Sequence, residues 1–373
     1  MAQIQPQKEA IAIAAQAGLP VIAWGSPGVG KTRFVVNLAK MLDEHLEVLI
    51  ASIREPADFG GLPVISHVDG ETEVNMAPLS WARRLSGGGI LFLDEINTAP
   101  PAVQAALLRV VLDRTVGEYA LPDSVRIIAA SNPPDESAGG WELSPPLANR
   151  FCHIQWKLNS DAWIRGMASN WDEDRKIPIL PENWKDKVEG MRNIVLSYIN
   201  VRSTHLLQVP NDSASIGLAW PSPRTWDMVS MGLAACEAVK SSDDARANIV
   251  CGLVGDGTGL EFLKWMKSLD LPKPEDVLKD PKLLPDRDDR LFATIMNVVS
   301  YAARDGKKIS KNDWNNFWFV LNRVIEMAKR DFAIVGLISM MSRTGKPYDF
   351  PNAKSIKDLA KVMKDIEWRA ADE

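Results

Sequence analysis

Five short apolar runs rich in β-branched residues mark the first 158 residues, at 21–24, 48–52, 90–94, 125–131 and 152–158. Helical patterns lie between them, chiefly over 31–42 and 102–113. Continuous apolar strands alternating with helices predict a five-stranded parallel sheet covered by helices on both faces, an α/β fold. Two stretches break the rhythm. In LPVISHVDGETEVNMAP the pattern alternates around Asp69-Gly70, which predicts a β-hairpin, and RTVGEYALPD is a shorter candidate of the same kind.

Beyond residue 158 the strand pattern fades. SDAWIRGMASN opens on an N-cap residue, and SPRTWDMVSMGLAACEAVK has helical periodicity after a Ser-Pro start. LDLPKPEDVLKDPKLLPDRDD reads as a proline- and charge-rich connector, followed by helices over 290–303, 311–329 and 355–371. These shifts predict an α/β core over 1–158, a helical domain over 159–240 and a C-terminal helical region over 241–373.

Composition changes this picture little. With 46% hydrophobic and 24% charged residues the chain reads as an ordinary globular protein. No apolar run reaches the roughly 18 residues of a membrane span. The N-terminus lacks the basic start and long apolar stretch of a signal peptide, and reads instead as a short amphipathic helix. Cys152, Cys236 and Cys251 have neither zinc-site spacing nor a disulfide framework, so free thiols in a reducing, cytoplasmic setting are expected. His45, His67, His153 and His205 form no pair at ligand spacing. The net charge of -5 offers no support for nucleic-acid binding. The 13 Trp, against 4 Tyr, are expected as core or interface anchors.

The chemistry is concentrated in two stretches. GSPGVGKT, residues 25–32, follows a strand and opens a helix. Glycines at that point let successive N–H groups curl around phosphates, and the helix N-terminus adds its positive dipole. Gly25, Ser26, Pro27, Gly28, Val29 and Gly30 form the loop; Lys31 is placed to reach β- and γ-phosphates, and Thr32 to offer a hydroxyl to Mg²⁺. In GGGILFLDEIN a strand ends in two carboxylates. Beside a phosphate loop, Asp94 is suited to hold Mg²⁺ through its water shell and Glu95 to polarise an attacking water. A simple phosphate-binding kinase needs only the first; the adjacent Glu95 argues for hydrolysis.

In this order the motifs resemble those of the AAA+ ATPases, and within them the MoxR group with an insert in the second helix. GSPGVGKT looks like Walker A, and ILFLDEINTAPPAVQAALLRVV like Walker B with its following helix. IIAASNPPD resembles the sensor 1 strand, which implies that Asn132 contacts the γ-phosphate and the attacking water. LSPPLANRF resembles the arginine-finger segment, which puts Arg150 at the interface to a neighbouring subunit. WPSPRTW resembles the lid motif carrying sensor 2, which points to Arg224. The resemblance covers roughly residues 20–235 and makes the helical domain over 159–240 a lid. Two positions depart from the family: Thr98 stands where a basic residue is frequent after the Walker B motif, and Asn149 where an acidic residue commonly precedes the finger arginine.

The residues support the arginines independently, because a phosphoryl-transfer transition state spreads negative charge that a planar, permanently charged guanidinium suits. Arg109 and Arg114, on the helix after Walker B, are weaker candidates for facing a neighbour. The resemblance implies ATP and Mg²⁺ as cofactors and a homo-oligomeric ring, expected as a hexamer, in which Arg224 and a neighbour's Arg150 grip one γ-phosphate from opposite sides. It further implies work on a separate client protein, with a von Willebrand factor A domain in one class of such partners. The alternative is a nucleic-acid-translocating motor of restriction or helicase type, which would need basic hairpins; here Asp69, Glu71 and Glu73 are acidic. A small-molecule kinase or a nucleotide-gated scaffold is a third reading, which Asn132, Arg150 and Arg224 disfavour.

Overall fold

The computed structural model describes residues 4–68, 71–133, 136, 140–169, 177–304, 308–345 and 348. The helix expected over 355–371 and the hairpin turn at Asp69-Gly70 lie outside those residues. By contacts the chain divides into two compact units, residues 1–191 with 204–263, and residues 192–203 with 264–373.

In the first unit, β1 (Val21–Trp24), β2 (Leu46–Ile50), β5 (Gly89–Asp94), β8 (Val125–Ser131) and β9 (Cys152–Gln155) make one parallel sheet in the order β2-β5-β8-β1-β9. The long hairpin is β3 (Leu62–Val68) paired with β4 (Glu71–Ala77), and the short one is β6 (Thr115–Val116) with β7 (Tyr119–Ala120). The edge strand β2 starts two residues before its apolar run, because Glu47 enters the sheet. That carboxylate is buried and takes hydrogen bonds of 2.8 and 2.6 Å from Arg84, which hold its pKa below the usual range.

The helices of the core are α1 (Pro6–Gln16), α2 (Lys31–Met41), α3 (Pro56–Gly60), α4 (Ser80–Arg84), α5 (Pro101–Asp113) and α6 (Pro145–Ala148). Ile22, Leu91, Leu93, Ile127 and Ala129 meet Val103, Leu107 and Val110 of α5, with Phe59, Trp81 and Leu147 from the short helices. Burying each of the larger side chains is worth roughly 2 kcal/mol. The alternate residues Val21, Ile90, Phe92 and Ile128 are equally buried, and α1 and α2 pack on the sheet. Helix α1 is not amphipathic in its setting: Lys8 to Ala15 are all buried. Its Glu9 accepts from the backbone N–H (3.0 Å) and hydroxyl (2.6 Å) of Ser242 at the start of a later helix.

That helix belongs to the run α7 (Ser160–Ala168), α8 (Val188–Val201), α9 (Ser213–Ile216), α10 (Pro223–Val239), α11 (Asp243–Val254) and α12 (Asp256–Lys267). Asn159 caps α7, one residue earlier than the pattern implies, and Ser222 caps α10 in a capping box with Thr225. α11 packs on α1, α10 and β9. Cys152, Cys236 and Cys251 are free thiols. Burial pushes all three up, Cys236 and Cys251 to about 11, so they stay protonated.

The second unit contains α13 (Pro274–Lys279), α14 (Asp288–Ala302), α15 (Lys311–Glu326) and α16 (Arg330–Thr344). Trp314, Phe317 and Trp318 of α15 fill its core against Leu291, Ile295 and Val299 of α14 and Leu337 and Met340 of α16. The stretch read as a connector therefore holds a short helix, with Pro274 at its first turn. Among the described residues no helix is long and apolar enough to cross a membrane.

Candidate nucleotide site

The sheet register assembles the site. Trp24 pairs with Ser131 and Phe92 with Ile128, so the chain leaves β1, β5 and β8 at one edge, and the N–H of Gly25 donates to the Ser131 carbonyl at 3.1 Å. Ligands of open parallel sheets bind at this carboxyl edge. The loop from Gly25 to Gly30 then turns into α2. Gly30, at the N-cap, has φ +95°, a left-handed conformation that side chains resist. At Gly25 a Cβ would come within 2.7 Å of the Trp156 carbonyl, so only glycine fits between loop and β9.

Lys31 is buried at the mouth of α2. Its Nζ donates to the carbonyls of Gly25 and Ser26 and to Asn132 Oδ1 at 3.1 Å. Burial lowers its pKa, while Asp94 and Glu136 oppose that shift. The Thr32 hydroxyl donates to Asp94 Oδ2 at 3.0 Å, and Asp94 Oδ1 accepts from the backbone N–H of Glu95. Two hard oxygens converging beside a phosphate loop fit Mg²⁺, which takes one or two protein ligands and completes its shell from phosphate and water.

Glu95 itself has φ +55°, strained for a residue with a side chain by about 1 kcal/mol. Its exposed carboxylate accepts from the Ser52 hydroxyl at 2.9 Å, in the turn after β2. Asn132 is fixed through its backbone, whose carbonyl accepts from the buried Asn97 at 3.0 Å. Lys31, Thr32, Asp94, Glu95 and Asn132 are thus brought together, with Ser26 joined to Glu136 at 3.0 Å.

Beside the loop opens a cavity of about 640 Å³, lined by Gln5, Lys8, Gly28, Val29, Phe34, Trp156, Trp163 and Ile164 among others. Trp156 is its fixed wall: its indole N–H donates to the Val29 carbonyl at 3.1 Å and its ring tilts against Phe34 at 5.4 Å. The space is mostly apolar and adjoins the phosphate loop, as a planar base requires. Lone tryptophans and a lysine near the N-terminus gave no sequence signal for it; Ser52 had none either, being one serine at the end of a strand pattern.

Arg150 and Arg224 are not brought to this edge. Val21 pairs with Cys152, so Arg150 sits two residues before β9 starts, at the opposite end of the sheet. Four strand residues, about 13 Å at the usual rise, separate the level of Cys152 from that of Gly25. Arg150 instead donates to the Pro146 carbonyl of α6, and its Nε has no partner among the described residues. Arg224, exposed at the start of α10, reaches Asn149 Oδ1 at 3.4 Å. The two arginines are close enough to repel: burial first and Arg224 second lower the pKa of Arg150, against Asp113. The expectation pairs Arg224 of one chain with a neighbour's Arg150 on opposite sides of a γ-phosphate; within this chain the two arginines lie at the same end of the sheet, away from the phosphate loop.

Arg114 is an internal brace, donating to the carbonyls of Pro122 (3.3 Å) and Val125 (2.7 Å), whereas Arg109 is exposed. Among the described residues no group of three or more His, Cys, Asp or Glu is placed to hold a metal.

A phosphate loop, a strand-end Asp-Glu and a polar residue just past the end of the central strand β8 define a P-loop nucleotide-binding domain. Residues 20–151 match the family described as AAA domain (dynein-related subfamily), so the chain carries an AAA+ ATPase domain related to that subfamily, of a kind that binds ATP. The chain is 28% identical over 206 residues to Protein NorQ of Paracoccus denitrificans, covering 50% of this chain and 72% of that protein. It is 30% identical over 143 residues to the nitric oxide reductase transcription regulator NorR2 of Cupriavidus necator, covering 35% of this chain and 27% of the relative. With the Nif-specific regulatory protein of Sinorhizobium fredii it shares 30% identity over 142 residues, 23% of that protein. The chain thus spans about a quarter of the length of these two regulators.

Proposed function

We propose that this chain hydrolyses ATP at a site completed by Arg150 and Arg224 of the next subunit in a ring, a hexamer, and uses the cycle to remodel a separate protein complex in the manner of MoxR-like chaperones. The observation that carries this reading is the distance between the two halves: the phosphate edge holds everything but the arginines, and the arginines stand at the other end of the sheet.

In this reading the N–H groups of Gly25 to Thr32 receive the phosphates, and Lys31 turns from the Gly25 and Ser26 carbonyls to the β- and γ-phosphate oxygens. Thr32 and Asp94 hold Mg²⁺, which offsets phosphate charge. Glu95 takes a proton from a water oriented by Asn132. The water oxygen bonds to the γ-phosphorus as the bond to the β,γ-bridging oxygen breaks, and ADP and phosphate leave. The neighbour's guanidinium groups meet the charge spread over the equatorial oxygens. The cavity at Trp156 and Trp163 takes the base.

The client is a protein rather than nucleic acid. The long hairpin exposes Leu62, Val64, Ile65 and Val74 together with Glu71 and Glu73, a surface suited to a polypeptide and repellent to phosphate. In this reading the client is a separate polypeptide in the cytoplasm, and a protein with a von Willebrand factor A domain is one class of partner that fits it. ATP turnover per subunit, followed across a wide range of protein concentration, tests the proposal. It should rise as rings assemble; constant specific activity at all concentrations would mean a self-contained site and defeat it.

A further inference from the structure

The cavity beside the phosphate loop is uneven in its hydrogen-bonding character. Among the described residues of its wall there is no Asp or Glu, while Lys8, Arg33 and Lys157 are cations. Arg33 and Lys157 are exposed; Lys8, from α1, is buried, at 5% exposure. Its Nζ stands 5.9 Å from the centroid of the Trp156 ring, the fixed wall of the cavity. An ammonium has three donors and no acceptor, and taking it out of water is costly unless acceptors meet it. Four acceptors of the wall, by contrast, already hold hydrogens from this chain. Gln5 Oε1 accepts from Gln7 Nε2 at 2.7 Å, and the Lys157 carbonyl from the same nitrogen at 3.1 Å. The Val29 carbonyl accepts from the Trp156 indole, and Asn159 Oδ1 from the N–H of Ala162 at 2.9 Å.

We propose that Lys8 reads the base, and that the site accepts a 6-oxopurine nucleoside triphosphate, GTP or ITP, at least as well as ATP. The proposal rests on the reading that this cavity takes the base. On the edge that carries N7, guanine and hypoxanthine present two acceptors, N7 and O6, which one ammonium can meet together. Adenine presents N7 beside its N6 amino group, a donor. An N6 amino group facing Lys8 sets donor against donor, with the nearby acceptors already engaged. The N1–H of a 6-oxopurine and the 2-amino group of guanine need water instead. Trp163 and Ile164, on the α7 side of the cavity, are 49% and 59% exposed, so that side is open to water. Hypoxanthine, with no 2-amino group, has one donor fewer to place.

The test measures equilibrium binding of ATP, GTP and ITP, each with Mg²⁺, to the full chain as wild type, Lys8→Met and Trp163→Ala, beside melting temperatures. Wild type is expected to bind GTP and ITP at least as tightly as ATP. Lys8→Met, which keeps an apolar stem and loses the donors, should weaken GTP and ITP by at least about tenfold and ATP by no more than about threefold. Wild type binding both GTP and ITP more weakly than ATP overturns the proposal. Losses in Lys8→Met that are equal for the three nucleotides, or absent for GTP and ITP, overturn it as well, since Lys8 then acts on the phosphates, on the fold or on nothing. If Lys8→Met fails to fold, the wild-type order of affinities decides. Trp163→Ala separates these outcomes from failure of the underlying reading. A base held in the cavity predicts that all three nucleotides lose about fivefold or more when that indole is removed. Unchanged affinity for all three puts the base elsewhere and defeats the reading together with the proposal.

Discussion

The two ends of the parallel sheet differ in how their charges are satisfied. At the carboxyl edge each functional group has a partner in its own chain: Lys31 has two carbonyls and Asn132, Thr32 has Asp94, and Glu95 has Ser52. At the amino edge two guanidinium groups stand together, Arg224 on the neutral amide of Asn149, and Arg150 Nε finds no partner among the described residues. One end is organised before any ligand arrives. The other, in the proposed ring, would meet the phosphates held by a neighbouring subunit.

The sharpest way to break that contrast is Glu95→Gln, which removes the proton acceptor and keeps the shape. We expect turnover to fall by about a thousandfold or more while ATP still binds, measured by steady-state hydrolysis beside equilibrium binding. Arg224→Ala should cost about a hundredfold in kcat and leave ATP affinity within about twofold, because Arg224 is at the far end from the loop of its own chain. A large loss of affinity in that variant would place Arg224 at its own phosphate loop and erase the distinction between the ends.

A third prediction concerns stability near the amino edge. His153 is buried in β9, accepts the indole N–H of Trp24 on Nδ1 at 2.9 Å and faces the Ala148 carbonyl with Nε2 at 2.9 Å. That arrangement needs the neutral ring, and burial lowers its pKa from 6.5 to about 4. The unfolded chain therefore binds a proton in this window that the folded chain does not. Stability should be full above about pH 6.5 and decline by about 3 kcal/mol as pH falls to about 4. Denaturant midpoints across that range should be flatter in His153→Gln, which keeps a donor and an acceptor. The smallest expected effect is that of Ser52→Ala: releasing the Glu95 carboxylate should raise basal turnover by about threefold, and unchanged turnover would make the Ser52 contact incidental.

Much of the carboxyl edge was legible in the sequence, because its chemistry is carried by neighbouring residues. The phosphate loop, the strand-end Asp94-Glu95 pair and strands β1 and β8 could all be read from local pattern. What escaped depends on distant residues meeting. Glu47 broke an apolar run and shifted β2, since its partner Arg84 lies 37 positions away. Asn149 could be seen as a departure from the family, but its contacts with Trp220, Ser222 and Arg224 exist only in the fold. Helix α11 escaped for a different reason: packed on α1, α10 and β9, it has little of the one-sided periodicity that marks a surface helix. Helix α16, RDFAIVGLISMMSRT, is a similarly run-on apolar stretch.

The distance between the two ends along β9 has a consequence for heredity as well as for chemistry. Two damaged alleles, one lacking Lys31 and the other lacking Arg150, would each encode a protein that cannot turn over ATP. If the proposed ring forms, the two proteins co-expressed in one cell would make mixed assemblies in which some junctions join an intact phosphate edge to an intact arginine pair. Such alleles would rescue each other, whereas two lesions at the same edge would not.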